Sequence, residues 1–110
     1  MVALKIEEMS DTKSMVDFVI NGKKYCGMKS RLWWAITEVK RWQYSGGSNF
    51  TLQLMALIAK ADDDNKQKIL KGFPEEVCAY LMWYYKEAFG EKYNSDEEFF
   101  DAMRARLDNN

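Results

Sequence analysis

The chain has 110 residues, the length of one domain, and its 47% of hydrophobic residues is enough to build a core. Sixteen basic and seventeen acidic side chains give a net charge of −1, so overall charge favours neither nucleic acid nor a membrane surface. Histidine is absent, and Cys26 and Cys78 form no CxxC pair, which leaves no plausible zinc ligand set. Without a long apolar segment, we expect a cytoplasmic protein with reduced cysteines, no metal and no cofactor.

The first part of the chain is predicted to form antiparallel strands. Apolar and less apolar residues alternate over 2–7, which is typical of a half-buried strand, and residues 10–14 follow as a polar turn. Two further strands, 15–20 and 23–28, are joined by Asn-Gly at 21–22, the dipeptide that favours a tight hairpin turn. The hairpin directs Asp17 to solvent and aligns three residue pairs: Phe18 with Tyr25, Asp17 with Cys26, and Val19 with Lys24.

The remainder is predicted to be helical. The expected helices cover residues 31–44, 50–61, 66–71 and 74–89, followed by a helix of about three turns that opens with a capping box of Ser95 and Glu98. Frayed polar residues end the chain at 108–110. Side chains suited to capping helix starts are Ser30 for the first helix and Ser48 or Asn49 for the second, and the third follows the polar run Asp62, Asp63, Asp64 and Asn65.

Apolar spacing indicates which helix faces enter the core. The first helix has a stripe of Leu32, Ala35, Ile36, Val39 and Trp42. The second helix is apolar nearly all round and is therefore expected to be central. The fourth has Pro74 in its first turn and a stripe of Val77, Leu81, Tyr84 and Ala88, and the last contributes Phe99, Phe100, Met103 and Leu107. The predicted fold class is α+β: an N-terminal antiparallel hairpin or three-stranded sheet packed on four to five helices in one domain, 1–110.

Charge and aromatic residues are concentrated near the hairpin and the first helix. Residues 21–44 hold six of the sixteen basic side chains and a single acid, Glu38. Residues 1–47 have eight basic and five acidic groups, a balance of +3, whereas residues 48–110 have eight and twelve, a balance of −4. This basic aromatic strip is the predicted binding site, and its residues are Lys23, Lys24, Lys29, Arg31, Trp33, Trp34, Lys40, Arg41 and Tyr44.

Two kinds of partner fit such a strip, and the sequence leaves both open. Rings between cations can stack on the bases of a single strand while the cations hold its phosphates. They can equally anchor a protein with an acidic surface. A third reading has no partner at all, because the rings can pack beneath the sheet and the cations can be solvated. Neither an RNP-type nor a helix-turn-helix signature is present.

Other polar clusters are weaker candidates. Residues 45–49 precede a helix and could hold a phosphate, but no lysine follows the glycines, so a turn between helices is expected. The run at 62–64 lacks the twelve-residue calcium loop. It is expected instead to form an acidic surface for a basic partner, together with Glu75, Glu76, Glu91, Asp96, Glu97 and Glu98. Because histidine is absent and neither cysteine has an activating base, we expect no catalytic residues and no enzyme activity.

Two segments resemble bacteriophage proteins. Residues 58–85, with the sequence IAKADDDNKQKILKGFPEEVCAYLMWYY, resemble small uncharacterised proteins encoded by phages of Gram-positive bacteria. The hairpin FVINGKKY resembles the opening of phage tail-assembly chaperones, although the aromatic helices after it differ from that family. These resemblances assign no functional residues. They imply a phage protein that inhibits host defence machinery, as anti-CRISPR proteins do.

Three functions are therefore expected, in order of preference. The first is stoichiometric inhibition of a host protein. The second is binding of single-stranded nucleic acid or a nucleotide, and the third is a role as a phage assembly adaptor that self-associates. A monomer or small homo-oligomer that does not bind membranes is consistent with all three.

Overall fold

The computed structural model describes residues 4–8, 15–20, 22–47, 49–86 and 93–108, and the fold of this part is α+β. Three strands are followed by five helices within these residues: β1 (Leu4–Glu8), β2 (Met15–Ile20), β3 (Lys23–Met28), α1 (Lys29–Tyr44), α2 (Phe50–Lys60), α3 (Asp63–Gly72), α4 (Pro74–Tyr84) and α5 (Asp96–Asp108). The expected turn at 10–14 lies outside the described residues, as do Asn21, Ser48, residues 87–92 and the last two residues.

The sheet is antiparallel with strand order β1-β2-β3, and the predicted hairpin register is confirmed. Phe18 pairs with Tyr25, and Gly22 has φ +84°, as a tight turn at this position requires. One expectation for the hairpin is wrong, because Asp17 is only 8% exposed. The Asp17 carboxylate is paired with Lys24 of β3, whose Nζ lies 3.2 Å from Asp17 Oδ2.

The start of α1 is stabilised by a residue that is distant in sequence. The expected cap, Ser30, is already inside the helix, and the N-cap position is Met28, whose side chain makes no capping bond. The Met28 N–H instead donates to Glu75 Oε2 of α4 at 2.9 Å. Gly27 permits this approach, because a Cβ there would lie 3.0 Å from Glu75 Cγ and 3.1 Å from Phe18 Cε1.

The α2 and α3 helices have local caps. Asn49 Oδ1 accepts the Leu52 N–H at 2.9 Å, and Asp62 Oδ1 accepts the Asn65 N–H at the same distance. The run at 62–64 therefore starts α3, three residues before the predicted start. The expectation that α2 is central is wrong: its Phe50 and Leu57 are exposed, because α1 and α4 cover only one side of it.

The central helix is α4, in which every residue from Glu75 to Met82 is buried. It ends at Tyr84, five residues before the predicted end, and Tyr84 is exposed instead of lying in the buried stripe. The predicted core stripe of α1 is confirmed, with Trp42 only partly buried. The predicted Ser95 cap of α5 is also confirmed, because Ser95 Oγ accepts the Glu98 N–H at 3.2 Å. The four apolar residues predicted to be buried in α5, Phe99, Phe100, Met103 and Leu107, are buried.

Candidate functional site

The predicted strip does not form one surface, because α1 directs its residues to three sides. Residues three or four apart share a helix face, so the helix has one apolar face that enters the core and two neighbouring polar faces. We call the face toward α5 the α5 seam, formed by Trp33, Thr37, Lys40 and Tyr44. We call the face toward α2 and the start of α4 the cleft face, formed by Arg31, Trp34, Glu38 and Arg41.

Polar contacts with α5 engage all four residues of the α5 seam. The guanidinium carbon of Arg104 lies 5.6 Å from the Trp33 ring centroid, and its Nη1 donates to Thr37 Oγ1 at 3.4 Å. Lys40 Nζ is 3.2 Å from Glu97 Oε1. The Tyr44 hydroxyl donates to Asp96 Oδ2. Three residues of the predicted site, Trp33, Lys40 and Tyr44, therefore help to hold α5 against α1.

Asp96 is the centre of the seam's polar contacts. Besides Tyr44, it accepts the Trp83 indole N–H at 3.2 Å and pairs with Lys86 Nζ at 3.2 Å. The hydrogen bond from Tyr44 is the main cause that lowers the pKa of Asp96, and the same bond raises the pKa of Tyr44. Asp96 therefore makes contacts within the chain, and its predicted place in an acidic binding surface is wrong.

The three lysines of the hairpin end are dispersed. Lys23 Nζ lies 5.8 Å from the Tyr25 ring centroid, and Lys24 is paired with Asp17. Lys29 is buried, with 8% of its surface exposed. These side chains do not form a continuous row of cations with Arg31, Lys40 and Arg41.

A cleft of about 400 Å³ lies beside the cleft face, between α1, α2 and α4. Trp34 stands at its edge with 59% of its surface exposed, and its ring meets that of Trp33 edge-on at 5.1 Å. A second hollow of about 200 Å³ lies toward Leu107, and Trp34 lines both. Polar groups from three helices line the larger cleft: Ser30, Arg31 and Glu38 of α1, Thr51 of α2 and Glu76 of α4.

Two carboxylates in the cleft are only half satisfied. Glu38 Oε1 pairs with Arg41 Nη1 at 3.2 Å, and Glu76 Oε2 lies 3.7 Å from Arg31 Nη2. The second oxygen of each carboxylate is buried, and no hydrogen-bond donor reaches it among the described residues. Burial is the main cause that raises the pKa of Glu76. A carboxylate oxygen in this condition is an acceptor that lacks a donor.

Neither carboxylate was identified as a site residue from the sequence. Glu75 and Glu76 were assigned to an exposed acidic surface, which is wrong because both are buried at the start of α4. From the sequence, Glu38 is the single acid of the strip and shares a helix face with Trp34 and Arg41, but it is given no binding role. Its spacing of four from Trp34 was the available signal, since residues at i and i+4 share a helix face.

The described residues of the 45–49 loop, 45–47 and 49, lie in a turn between helices, as expected. The Gly46 N–H donates to Arg41 O at 2.9 Å, and the Asn49 side chain caps α2. Of the two cysteines, Cys26 is exposed on β3 and Cys78 is buried, and burial raises the pKa of the Cys78 thiol. Within the described residues, no three Asp, Glu or Cys side chains are grouped to hold a metal ion.

Comparisons with known proteins find no matching family model, no matching curated protein and no matching solved structure. In the part of the chain that the structure describes, no helix has the length and apolar character needed to cross a membrane. The function is therefore inferred from the geometry of the chain's own residues.

Proposed function

We propose that this protein binds another protein stoichiometrically and catalyses no reaction, with the cleft face of α1 and the exposed flank of α2 as its binding surface. The observation that carries the proposal is the exposed Trp34 indole at the edge of a cleft. Large aromatic side chains beside pockets are the residues on which protein interfaces most depend. Phe50 and Leu57 of α2 are also exposed and, being seven residues apart, lie on one face of that helix, which we include in the proposed surface.

Ion pairing supports a protein partner over a nucleic acid. Phosphate binding requires cations whose charge is available to the ligand. Four of the six cations of the strip have acidic partners within the chain: Lys24 with Asp17, Arg31 with Glu75 and Glu76, Lys40 with Glu97, and Arg41 with Glu38. The alternative of single-stranded nucleic acid would need several of these pairs to break.

The proposed biological setting is inhibition of host defence by a phage-type protein that acts in the host cytoplasm. The resemblance of residues 58–85 to phage proteins supports this setting. So does the exposed aromatic surface, because an inhibitor that acts by occupying its target needs an interface and no catalytic group. A host protein is therefore the proposed partner.

Matched alanine variants test the proposed surface. The tagged chain is used to capture a partner from host lysate, and the purified pair is then studied by calorimetry for affinity and stoichiometry. Trp34→Ala is expected to weaken binding by about tenfold or more, as for the loss of an interface aromatic. Tyr84→Ala is the control, because Tyr84 is 58% exposed and lies at the far end of α4. Unchanged affinity in Trp34→Ala would contradict the proposal.

The two alternative functions give different results in solution. A labelled single-stranded oligonucleotide is titrated at low and high salt, and anisotropy is measured. Binding that weakens steeply with salt would favour nucleic acid, and its absence at low salt would exclude that alternative. Light scattering over a concentration series tests the assembly adaptor, which requires a discrete oligomer of the chain.

A further inference from the structure

We propose that the cleft receives an arginine side chain of the partner protein, whose guanidinium donates to Glu38 and Glu76 and stacks on Trp34. This inference depends on the proposed protein-binding function and specifies its chemistry. It names the kind of residue that the partner must present.

The unpartnered oxygens define what the ligand must supply. Glu76 is only 7% exposed, yet its Oε1 has no donor among the described residues, and Glu38 Oε2 is in the same condition. Both residues line one cleft. Both oxygens are buried, so a guest reaches them only by displacing the side chains that cover them; N–H groups placed against both would then satisfy two acceptors at once.

The charge balance of the cleft favours a cationic ligand. Three charged residues among those the structure describes line the cleft: Arg31, Glu38 and Glu76. One positive and two negative groups leave a net charge of −1. An incoming cation neutralises this excess, whereas an anion would add to it.

Guanidinium fits the geometry better than ammonium. Its five N–H donors lie in one plane, so it can address two carboxylate oxygens while its flat face contacts an aromatic ring. Trp is the side chain that attracts a stacked cation most strongly, and the exposed Trp34 ring is available for this contact. Lysine would offer a single ammonium without a planar face.

Arg31 is the side chain that a guest would displace. Its contacts with Glu75 and Glu76 are long, at 4.0 Å and 3.7 Å, and its side chain is 53% exposed. Weakly held, half-exposed cations turn outward at low cost. Removing it with Arg31→Ala is therefore expected to strengthen binding of the guest, since the resident competitor is gone.

The cleft can be tested without the partner. N-acetyl-L-arginine amide is titrated into the ¹⁵N-labelled full chain, and the Trp34 indole N–H and the Glu38 and Glu76 amide resonances are followed. Saturable shifts are expected with arginine, weaker shifts with the lysine amide and none with the citrulline amide, which has the same shape but no charge. Equal shifts with citrulline would overturn the inference.

Variants locate the binding. Glu76→Gln is expected to reduce arginine affinity by about tenfold, because a charge-assisted hydrogen bond is replaced by a neutral one. Trp34→Ala tests the stacking contact at an exposed position where folding is not at risk. Tyr84→Ala serves as the control and should bind arginine as the parent does. Full arginine affinity in both Glu76→Gln and Trp34→Ala would overturn the inference.

Failure of this inference differs from failure of the proposed function. If Trp34→Ala weakens the partner complex but arginine amide leaves the cleft resonances unmoved, the arginine site is wrong and protein binding at this face stands. If arginine amide binds with the expected dependence on Glu76 but the partner binds Trp34→Ala normally, the proposed interface is wrong. The inference is fully supported when substituting the partner's inserted arginine with lysine weakens the complex with the parent chain and not with Glu76→Gln.

Discussion

The α5 seam and the cleft face lie side by side on α1 and are built from similar residues. Each has an indole, a cation and further polar groups, but the seam meets α5, whose Asp96, Glu97 and Arg104 satisfy it. The cleft face lies toward α2 and the start of α4 instead, and two carboxylate oxygens there, Glu38 Oε2 of α1 and Glu76 Oε1 of α4, lack donors among the described residues. The comparison teaches that residue type alone does not mark a binding face. A binding face is marked by polar groups that are left without partners after folding.

The adjacent indoles give the largest contrast between the two faces. Trp33 is partly buried, packs against the core and contacts Arg104, whereas Trp34 is mostly exposed. Trp33→Ala is expected to lower the free energy of unfolding by about 3 kcal/mol, and Trp34→Ala by less than about 0.5 kcal/mol. Urea denaturation of the two variants measures the difference. Equal losses would remove the distinction between the faces.

Gly27→Ala tests the close packing of β3 against Glu75 at the start of α4, the helix that supplies Glu76 to the cleft. The added Cβ would press on Glu75 Cγ and Oε2 and on the Phe18 ring at 3.0–3.1 Å. We expect a loss of about 2 kcal/mol, the cost of overpacking a buried site. Gly72→Ala is the matched control, since nothing lies within 4 Å of its Cβ position and the residue is helical. Urea denaturation should show this control unchanged or slightly stabilised.

Asp96→Asn tests the satisfied carboxylate of the seam. At neutral pH we expect a loss of about 1.5 kcal/mol, because the charged acceptor of Tyr44, Trp83 and Lys86 becomes neutral. The pKa of Asp96 is lowered by folding, so its contribution is present above the unfolded value of about 3.9 and is lost as pH falls through the folded pKa. Unfolding measured from neutral to acid pH should therefore show the parent approaching the variant in acid.

Glu76→Gln should give a small effect of the opposite sign. Burial raises the pKa of Glu76, so folding favours its protonated form. That stabilisation is complete below the unfolded value of about 4.3 and is lost as pH rises through the folded pKa. The variant is therefore expected to be more stable than the parent at neutral pH, by less than about 1 kcal/mol, with little difference in acid. A destabilised variant at neutral pH would show that this carboxylate supports the fold.

Local signals in the sequence predicted the sheet and most helices. The Asn-Gly dipeptide set the hairpin register, and Asn49 and Ser95 capped the helices that follow them. The start of α1 was missed because its acceptor, Glu75, lies 47 residues away. The exposure of α2 was missed because an apolar composition does not show which sides neighbouring helices cover.

The candidate site was predicted only in part. The strip pointed to exposed aromatic surface at Trp34, but three of its cations, Lys24, Arg31 and Lys40, are paired with acids from β2, α4 and α5. Those pairings depend on tertiary packing and have no signature in local sequence. For the same reason, the half-satisfied state of Glu38 and Glu76 could be recognised only from the structure.

The bond from Met28 to Glu75 also bears on how the chain is made. A nascent chain that has emerged only as far as α2 contains the hairpin and α1 but not the acceptor for this N–H. Closing that interaction requires α4 to leave the ribosome and to contact a residue 47 positions earlier in the chain. In fragments that stop before residue 75, the first turn of α1 is therefore expected to be less stable. Hydrogen exchange of the Met28 amide should be faster in such fragments than in the full-length chain.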